Sequence, residues 1–290
     1  MRSEAEMVEL ILGTARADER IRAVLLNGSR ANPNAPKDCF QDFDVVYIVT
    51  EVESFLSDPH WIERFGELMI LQLPDTMGDS EETRPFGDFG YLAQFADGNR
   101  IDLTLWPLAH VADIEEDSLT VLLLDKDGIV PALPPASDRD YLPKPPTPKA
   151  FADCCNEFWW VCPYVAKGLW REELPYAKAM AEEFVRPQLM KMLTWHVGVR
   201  TGFAAAVGKQ GKYLQRYLEP ELWEMLLRTY ADADYGHTWD ALLAMGALFR
   251  RVALGVAAHF GYAYPEGDDA RVSAHLHHVR KLPRDAREMY

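Results

Sequence analysis

Two short segments near the N-terminus carry side chains suited to chemistry on phosphate. Gly28, Ser29 and Arg30 follow one apolar run, and Asp42 and Asp44, separated by a single residue, open a second. Alternate residues of a strand share a face, so both carboxylates can point to one place. Like charges held that close repel unless a cation lies between them, and carboxylate oxygens suit Mg²⁺. A Gly-Ser turn offers backbone N–H groups and a hydroxyl to phosphate oxygens, so the pattern predicts nucleotide chemistry.

A third carboxylate, Asp102, is placed for the same site. The apolar runs 91–95 and 101–106 flank the turn residues 97–99, which is typical of a β-hairpin. Asp102 then lies on the strand face opposite that strand's apolar side chains. A charged residue inside an apolar strand needs a partner or an ion, so we expect Asp102 to join Asp42 and Asp44.

The elements that would position these residues follow from local pattern. A helix is predicted over 3–17, with Ser3 and Glu6 as a capping box. A short helix is expected within 55–65, and residues 74–89, acidic and rich in Pro and Gly, predict a surface loop. Strands are predicted over 21–27, 45–49, 68–71, 91–95, 101–106 and 121–124.

A proline-rich stretch separates this half from a helical one. Residues 131–148 hold seven of the nineteen prolines, which predicts a linker between a domain of residues 1–130 and a second domain of residues 149–290. Pro163 and Pro187 predict kinks or breaks in the helices that contain them. The chain from Ala270 onward predicts a loosely held helix. Helical spacing covers 150–170, 172–200, 212–229 and 237–260.

Composition narrows the class of protein. The chain has 290 residues, 48% of them hydrophobic and 26% charged, as in a globular protein. Its net charge of −15 argues against a nucleic-acid surface and suits a cationic small molecule. Four cysteines, two of them adjacent, form neither a disulfide framework nor a zinc pattern. With a polar N-terminus and no apolar run near the about 18 residues needed to span a membrane, we expect a soluble cytoplasmic protein.

The motifs together resemble a known family. Gly28-Ser29, Asp42-Phe43-Asp44 and Asp102 look like the nucleotidyltransferase superfamily that includes DNA polymerase β. Longer matches, covering nearly the whole chain, resemble the aminoglycoside 6-adenylyltransferases that modify streptomycin. They are Leu26–Asn32, Pro36–Asp38, Phe40–Asp44, Ile101–Leu105, Cys154–Trp159, Pro163–Val165 and Tyr262–Glu266.

The resemblance implies an α+β protein, with an N-terminal mixed sheet and flanking helices followed by an all-α bundle. It implies that MgATP binds with its triphosphate against Gly28, Ser29 and Arg30, while Asp42 and Asp44 hold Mg²⁺. An aminoglycoside hydroxyl then attacks the α-phosphorus and pyrophosphate leaves. Asp102 is either a third metal ligand or a general base. Arg30 could instead be an exposed charge or pair with Asp38.

Local patterns in the helical domain predict further residues for binding the nucleotide and the antibiotic. Lys212, after a Gly-rich turn, is predicted to reach the triphosphate, with a solvated turn as the alternative. Asp153 and Glu157 share a helix face with aromatic Trp160 nearby, which suits the guanidinium groups of streptomycin. The alternative is a solvated Glu157 beside core tryptophans. The acidic loop 78–88 and Glu182 and Glu183 are further cation-site candidates.

We therefore predict ATP- and Mg²⁺-dependent adenylylation of streptomycin at its 6-hydroxyl, conferring antibiotic resistance. The substrate is expected between the two domains, and the protein is expected to be a monomer or weak dimer. The alternatives are another acceptor (a different aminoglycoside, a lincosamide or a protein hydroxyl) or a non-catalytic nucleotide-binding module.

Overall fold

The computed structural model describes residues 1–77, 85–114 and 116–290. It forms two compact units, Met1–Asp140 and Tyr141–Tyr290, whose division falls inside the proline-rich segment 131–148. Most of the acidic loop 78–88 lies outside the described residues. The first unit is a mixed α/β structure and the second is helical, which confirms the α+β fold class.

The first unit is built on a six-stranded mixed sheet. Its strand order is β3-β4-β5-β2-β1-β6, and every neighbouring pair is antiparallel except β2 and β5, which run parallel. The predicted hairpin is present as β4 and β5. The strands are β1 Ile21–Asn27, β2 Phe43–Val49, β3 Leu68–Gln72, β4 Phe89–Phe95, β5 Arg100–Pro107 and β6 Val121–Asp125.

One face of the sheet is covered and holds the main core of this unit. Helix α1, Glu4–Ala17, begins at the predicted Ser3–Glu6 capping box and buries Met7, Ile11 and Ala15 against the strands. The Tyr47 hydroxyl donates a hydrogen bond of 2.6 Å to the Ile11 carbonyl, tying α1 to β2. The opposite face carries a smaller apolar cluster around Ala23, Leu25 and Ile48. This second face is the one that receives Asp44 and Asp102.

Short helical segments fill the connections between the strands. The predicted helix within 55–65 is two pieces, α3 at Glu53–Leu56 and a 3₁₀ turn at Trp61–Phe65, separated by the chain around Pro59. Helix α2, Gly28–Ala31, follows β1 directly. Further 3₁₀ turns lie at Pro74–Thr76, Leu108–Asp113 and Arg139–Tyr141.

The second unit is a helical bundle with its own core. At its centre the Phe158 and Phe249 rings stack with centroids 3.8 Å apart, and burial raises the pKa of the Cys154 and Cys155 thiols to about 12. The helices are α4 Pro148–Trp170, α5 Leu174–Ala179, α6 Arg186–Thr201, α7 Leu214–Tyr217, α8 Pro220–Leu227, α9 Tyr235–Phe260 and α10 Glu266–Lys281, with a π-helical turn at Met180–Val185 and a 3₁₀ turn at Lys209–Gly211.

Several helix predictions need correction. Pro163 lies inside an uninterrupted α4, so the helix is not broken there, while the alternative of a kink stays a prediction. Pro187 stands in the first turn of α6, where its missing N–H costs little, and the irregularity falls in the preceding π-helical turn. The segment 212–229 is divided because Pro220 starts a new helix. The C-terminal helix is not loosely held, since Leu276 and Val279 are buried in the bundle core.

Helix α9 is the one helix among the described residues that, by length and composition, could cross a membrane. Arg250 and Arg251 interrupt its apolar residues, so it is not the continuous apolar run that the sequence was predicted to lack. Of its most apolar 18-residue stretch, 56% is buried inside the protein, so we interpret α9 as a core helix.

Candidate active site

The turn after β1 is shaped by a glycine that approaches a carboxylate. Gly28 has φ +70°, a conformation that residues with a Cβ rarely adopt. A Cβ atom at this position would lie 2.1 Å from Asp44 Oδ2, far inside van der Waals contact. The backbone of the Gly28-Ser29 turn therefore lies directly against the Asp44 side chain, as the sequence pattern predicts for a phosphate-binding turn beside a metal carboxylate.

Strand register brings the three predicted carboxylates together. Asp44 on β2 is paired directly with Asp102 on the parallel neighbour β5, so their side chains leave the same face of the sheet. Asp42 precedes β2 by one residue and points the same way. Carboxylate oxygens of all three lie within 4.8 Å of one another, and each side chain is half-buried. A set of hard oxygen donors at this spacing fits a divalent cation such as Mg²⁺.

Without a cation, the surroundings of Asp44 disfavour its ionised form. The pKa of Asp44 is raised to about 6, first by burial and then by the negative charges of Asp42 and Asp102. Arg100 and Arg30 act in the opposite direction but do not cancel these effects. The basic residues nearby therefore do not compensate Asp44, and binding of a cation would relieve that repulsion.

Arg100 is a member of this cluster that the sequence analysis missed. Its guanidinium donates to both carboxylate oxygens of Asp102 at 2.7 and 2.6 Å and lies 3.9 Å from Asp42 Oδ2. The Asp102 carboxylate in turn raises the pKa of Arg100. The signal was available in strand periodicity, because Arg100 stands two residues before Asp102 and must share its face.

Arg30 makes contacts that differ from both readings of the sequence. Its guanidinium donates to the backbone carbonyls of Asp42 and Gln41 at 2.9 and 2.7 Å. It also lies 3.7 Å from the Phe43 ring centroid, pairs with Glu4 of α1 at 3.2 Å and is only 7% exposed. The alternatives of an exposed charge or a pair with Asp38 are therefore wrong. The phosphate contact stays a prediction, while the observed contacts hold the backbone that carries Asp42.

The residues predicted to bind the antibiotic lie on helix α4. Trp160 is 64% exposed, Glu157 is half-buried, and the Trp160 ring meets the Tyr164 ring edge-on. Asp153 is exposed and ion-paired with Lys149 at 2.5 Å, so its charge is already partly neutralised. Trp159, by contrast, is a core residue. Glu157 and Trp160 are the members of the predicted set that remain available to a ligand.

The other helical-domain candidates have local partners. Lys212 is exposed after the turn at Lys209–Gly211, with its ammonium 5.1 Å from the Tyr213 ring centroid. Its nucleotide contact stays a prediction. Glu182 accepts two hydrogen bonds from Arg186, so it is a poor candidate for a separate cation site.

A mixed sheet that presents three clustered carboxylates beside a Gly-Ser turn defines the class of this protein as a nucleotidyltransferase. The family model described as streptomycin adenylyltransferase matches residues 1–279. The chain belongs to the streptomycin adenylyltransferase family.

Two similar sequences agree with this assignment. The aminoglycoside 6-adenylyltransferase of Bacillus subtilis (strain 168) is 43% identical over 273 residues, which is 93% of this chain and 95% of that protein. The protein of the same name from Campylobacter jejuni is 43% identical over 272 residues, 93% of each chain. A crystal structure of an aminoglycoside 6-adenyltransferase from Bacillus subtilis is 37% identical, covers 97% of this chain and 100% of its own, and aligns with a TM-score of 0.48.

Proposed function

We propose that this protein transfers AMP from ATP to the 6-hydroxyl of streptomycin, with Mg²⁺ as cofactor, and so confers resistance to the antibiotic. The observation that carries the proposal is the meeting of Asp42, Asp44 and Asp102 within 4.8 Å beside the Gly28 turn. The names of the family and of the relatives support an adenylyl donor and an aminoglycoside acceptor. We place the activity in the cytoplasm, where ATP is available, and we expect a monomer or weak dimer.

Each residue of the cluster has a proposed task. Asp42 and Asp44 supply the oxygens for Mg²⁺, which when bound neutralises charge on the phosphate groups. Gly28 and Ser29 lie against the triphosphate, where backbone N–H groups and the hydroxyl can donate to phosphate oxygens. Asp102 either completes the donor set or accepts the proton of the attacking hydroxyl. The metal affinity of Asp102→Asn separates these roles. If Asp102 is a metal ligand, the variant should bind the metal more weakly; if Asp102 is the general base, the metal affinity should not change.

Recognition of the acceptor rests on charge and an exposed ring. Streptomycin carries guanidinium groups, and helix α4 offers the Glu157 carboxylate one turn from the exposed face of Trp160. A cation over an indole ring gains about 0.5 to 2 kcal/mol, depending on how far it is desolvated. The net charge of −15 also attracts a polycation over longer range. Asp153 is a weaker contributor because Lys149 competes for it.

The direct test is mass spectrometry of streptomycin incubated with MgATP and the full chain. The expected product is streptomycin heavier by one adenylyl group, with stoichiometric pyrophosphate, and product NMR should place the group at the 6-hydroxyl. Asp44→Asn should abolish both signals. If streptomycin is unchanged and a panel of other aminoglycosides or lincosamides is adenylylated, the acceptor is wrong. If the protein binds nucleotide but pyrophosphate is not released from ATP with any acceptor, the protein is a non-catalytic binding module.

A further inference from the structure

We propose that Arg100 is the resident counter-cation of the carboxylate cluster and competes with the metal ion for Asp102 and Asp42, so that metal binds weakly until nucleotide is present. This inference rests on the proposed function, because it assumes that the cluster is a metal–nucleotide site. It adds a residue with a defined task and an order of loading.

The contacts of Arg100 are those of a cation occupying the site. Both oxygens of Asp102 are engaged by the guanidinium fork at 2.7 and 2.6 Å, and Asp42 Oδ2 lies 3.9 Å away. Each carboxylate oxygen has two lone pairs, and the guanidinium fork takes one lone pair of each oxygen of Asp102. A metal at Asp102 would therefore share the carboxylate with a second cation, so Arg100 opposes metal binding there for as long as it stays on Asp102.

Arg30, the other arginine near the cluster, could not take the place of Arg100 on the carboxylates. The Arg30 guanidinium is directed at the carbonyls of Gln41 and Asp42 and at Glu4, not at the carboxylates of the cluster. Among the described residues, Arg100 is thus the cation whose hydrogen bonds reach the cluster's carboxylates. Three carboxylates this close repel one another, and Arg100 relieves that repulsion in the absence of metal.

Arg100 also has room to move away. Its side chain is 44% exposed, and it borders an open groove of about 620 Å³ on β3 and β4. Residues lining this groove include Leu92, which is paired with Asp102 across β4 and β5, and Gln94, which is paired with Arg100 itself. A guanidinium released from Asp102 thus stays beside the site, where a polyphosphate offers its planar fork a pair of oxygens, as the carboxylate did.

The consequence is coupling between metal and nucleotide. Metal alone must displace Arg100 without providing it a new partner, whereas a metal nucleotide brings phosphate oxygens that accept the displaced guanidinium. Each ligand then strengthens binding of the other, as linkage requires. The free enzyme would hold little metal, and the cluster would assemble with the incoming nucleotide.

The experiment measures Mn²⁺ affinity of the full chain by electron paramagnetic resonance or calorimetry, with and without α,β-methylene-ATP, which cannot transfer AMP. Arg100→Gln should bind Mn²⁺ at least about fivefold more tightly than wild type without nucleotide, and the gain on adding nucleotide should shrink by a similar factor. Arg100→Lys, which keeps a charge but not the fork, should fall between. Arg22→Gln is the matched control, because Arg22 forms the same two-pronged pair with Asp127 away from the cluster; its affinities should equal those of wild type.

Unchanged or weaker Mn²⁺ binding by a folded Arg100→Gln, checked by circular dichroism and thermal melting, would overturn the inference. The outcomes separate it from the proposed function. Tighter Mn²⁺ binding in the variant without adenylylation of any acceptor by wild type leaves the inference standing and removes the function. Adenylylation by wild type with no change in Mn²⁺ affinity does the reverse. No Mn²⁺ binding under any condition rejects both.

Discussion

Oδ2 of Asp44 lies 2.1 Å from the position that a Cβ of Gly28 would occupy, so the turn and the carboxylate fill one another's space. Gly28→Ala should therefore displace Asp44 and also strain a backbone with φ +70°. Because a shift of about 1 Å in a catalytic group can cost about a hundredfold in rate, we expect turnover to fall by at least that factor. Steady-state kinetics with MgATP and streptomycin would measure it.

Two glycines provide controls for that substitution. Gly128 has a similar φ of +66° but no atom within 4 Å of its Cβ position, so Gly128→Ala carries the backbone strain without the clash. Gly13 lies in helix α1 with open space around its Cβ position, and Gly13→Ala should stabilise the fold by about 0.5 to 1 kcal/mol. Both variants should keep wild-type turnover. A Gly28→Ala enzyme as active as these two would contradict the proposed arrangement.

Arg30 offers a test between holding the protein backbone and binding phosphate. Arg30→Lys removes the fork that donates to the carbonyls of Asp42 and Gln41. Charge-assisted hydrogen bonds of this kind are worth about 1.5 to 3 kcal/mol, so we expect kcat and Mn²⁺ affinity to fall about tenfold or more as Asp42 loses its position. Unchanged binding of metal-free ATP, measured with EDTA present, would limit Arg30 to this backbone role. If metal-free ATP instead binds more weakly while Mn²⁺ affinity is kept, Arg30 contacts phosphate.

Asp44 should make the metal-free protein less stable as the pH rises. Its pKa is raised on folding from 3.8 to about 6, so ionisation costs folding free energy over that interval and the stability is lost as the pH passes through about 6. Asp44→Asn should therefore raise the free energy of unfolding at pH 8, in EDTA, by on the order of 1 to 2 kcal/mol, with little gain at pH 4. Urea denaturation at both pH values would measure this difference.

Asp97 provides a control, because its pKa is shifted on folding in the direction opposite to that of Asp44. Arg2 holds the pKa of Asp97 below its ordinary value, so Asp97→Asn should destabilise the protein at pH 8 and do so less as the Asp97 carboxyl becomes protonated at low pH. If Asp44→Asn raises the free energy of unfolding equally at pH 4 and pH 8, the raised pKa is not the cause of the gain.

Mn²⁺ binding by the wild type should also weaken below about pH 6, because protons compete with the metal for Asp44.

Helix α4 should affect the acceptor and not the nucleotide. Trp160→Ala and Glu157→Gln should each raise the KM for streptomycin about two- to tenfold, the range of a single cation–π or ionic contact, and leave the KM for ATP unchanged. Glu224→Gln, an exposed carboxylate on α8, is the matched control. Asp153→Asn should have less effect than Glu157→Gln, because Lys149 already pairs with Asp153. Unchanged KM values in both α4 variants would move the acceptor site elsewhere.

Local pattern was sufficient for most of the fold. Each predicted strand is present, with ends shifted by no more than two residues, because short apolar runs bounded by turn residues are typical of strands. The capping box at Ser3 was predictable because it is a contact between residues three apart. Prolines were less informative, since Pro163 is accommodated inside α4 and Pro187 in the first turn of α6, and only packing decides which.

The sequence by itself determined the strand face on which Asp42, Asp44 and Asp102 lie, and it predicts a cation for them, because carboxylates on apolar strands need a partner or an ion. That they meet was decided by tertiary structure: the parallel pairing of β2 with β5 sets Asp44 beside Asp102, although the two are 58 positions apart in the chain. Tertiary structure also turned Arg30 toward the backbone and put Arg100 on the carboxylates. Strand periodicity assigns a side chain to a face, but its partner depends on which strands become neighbours, and that is settled by burial across the whole sheet.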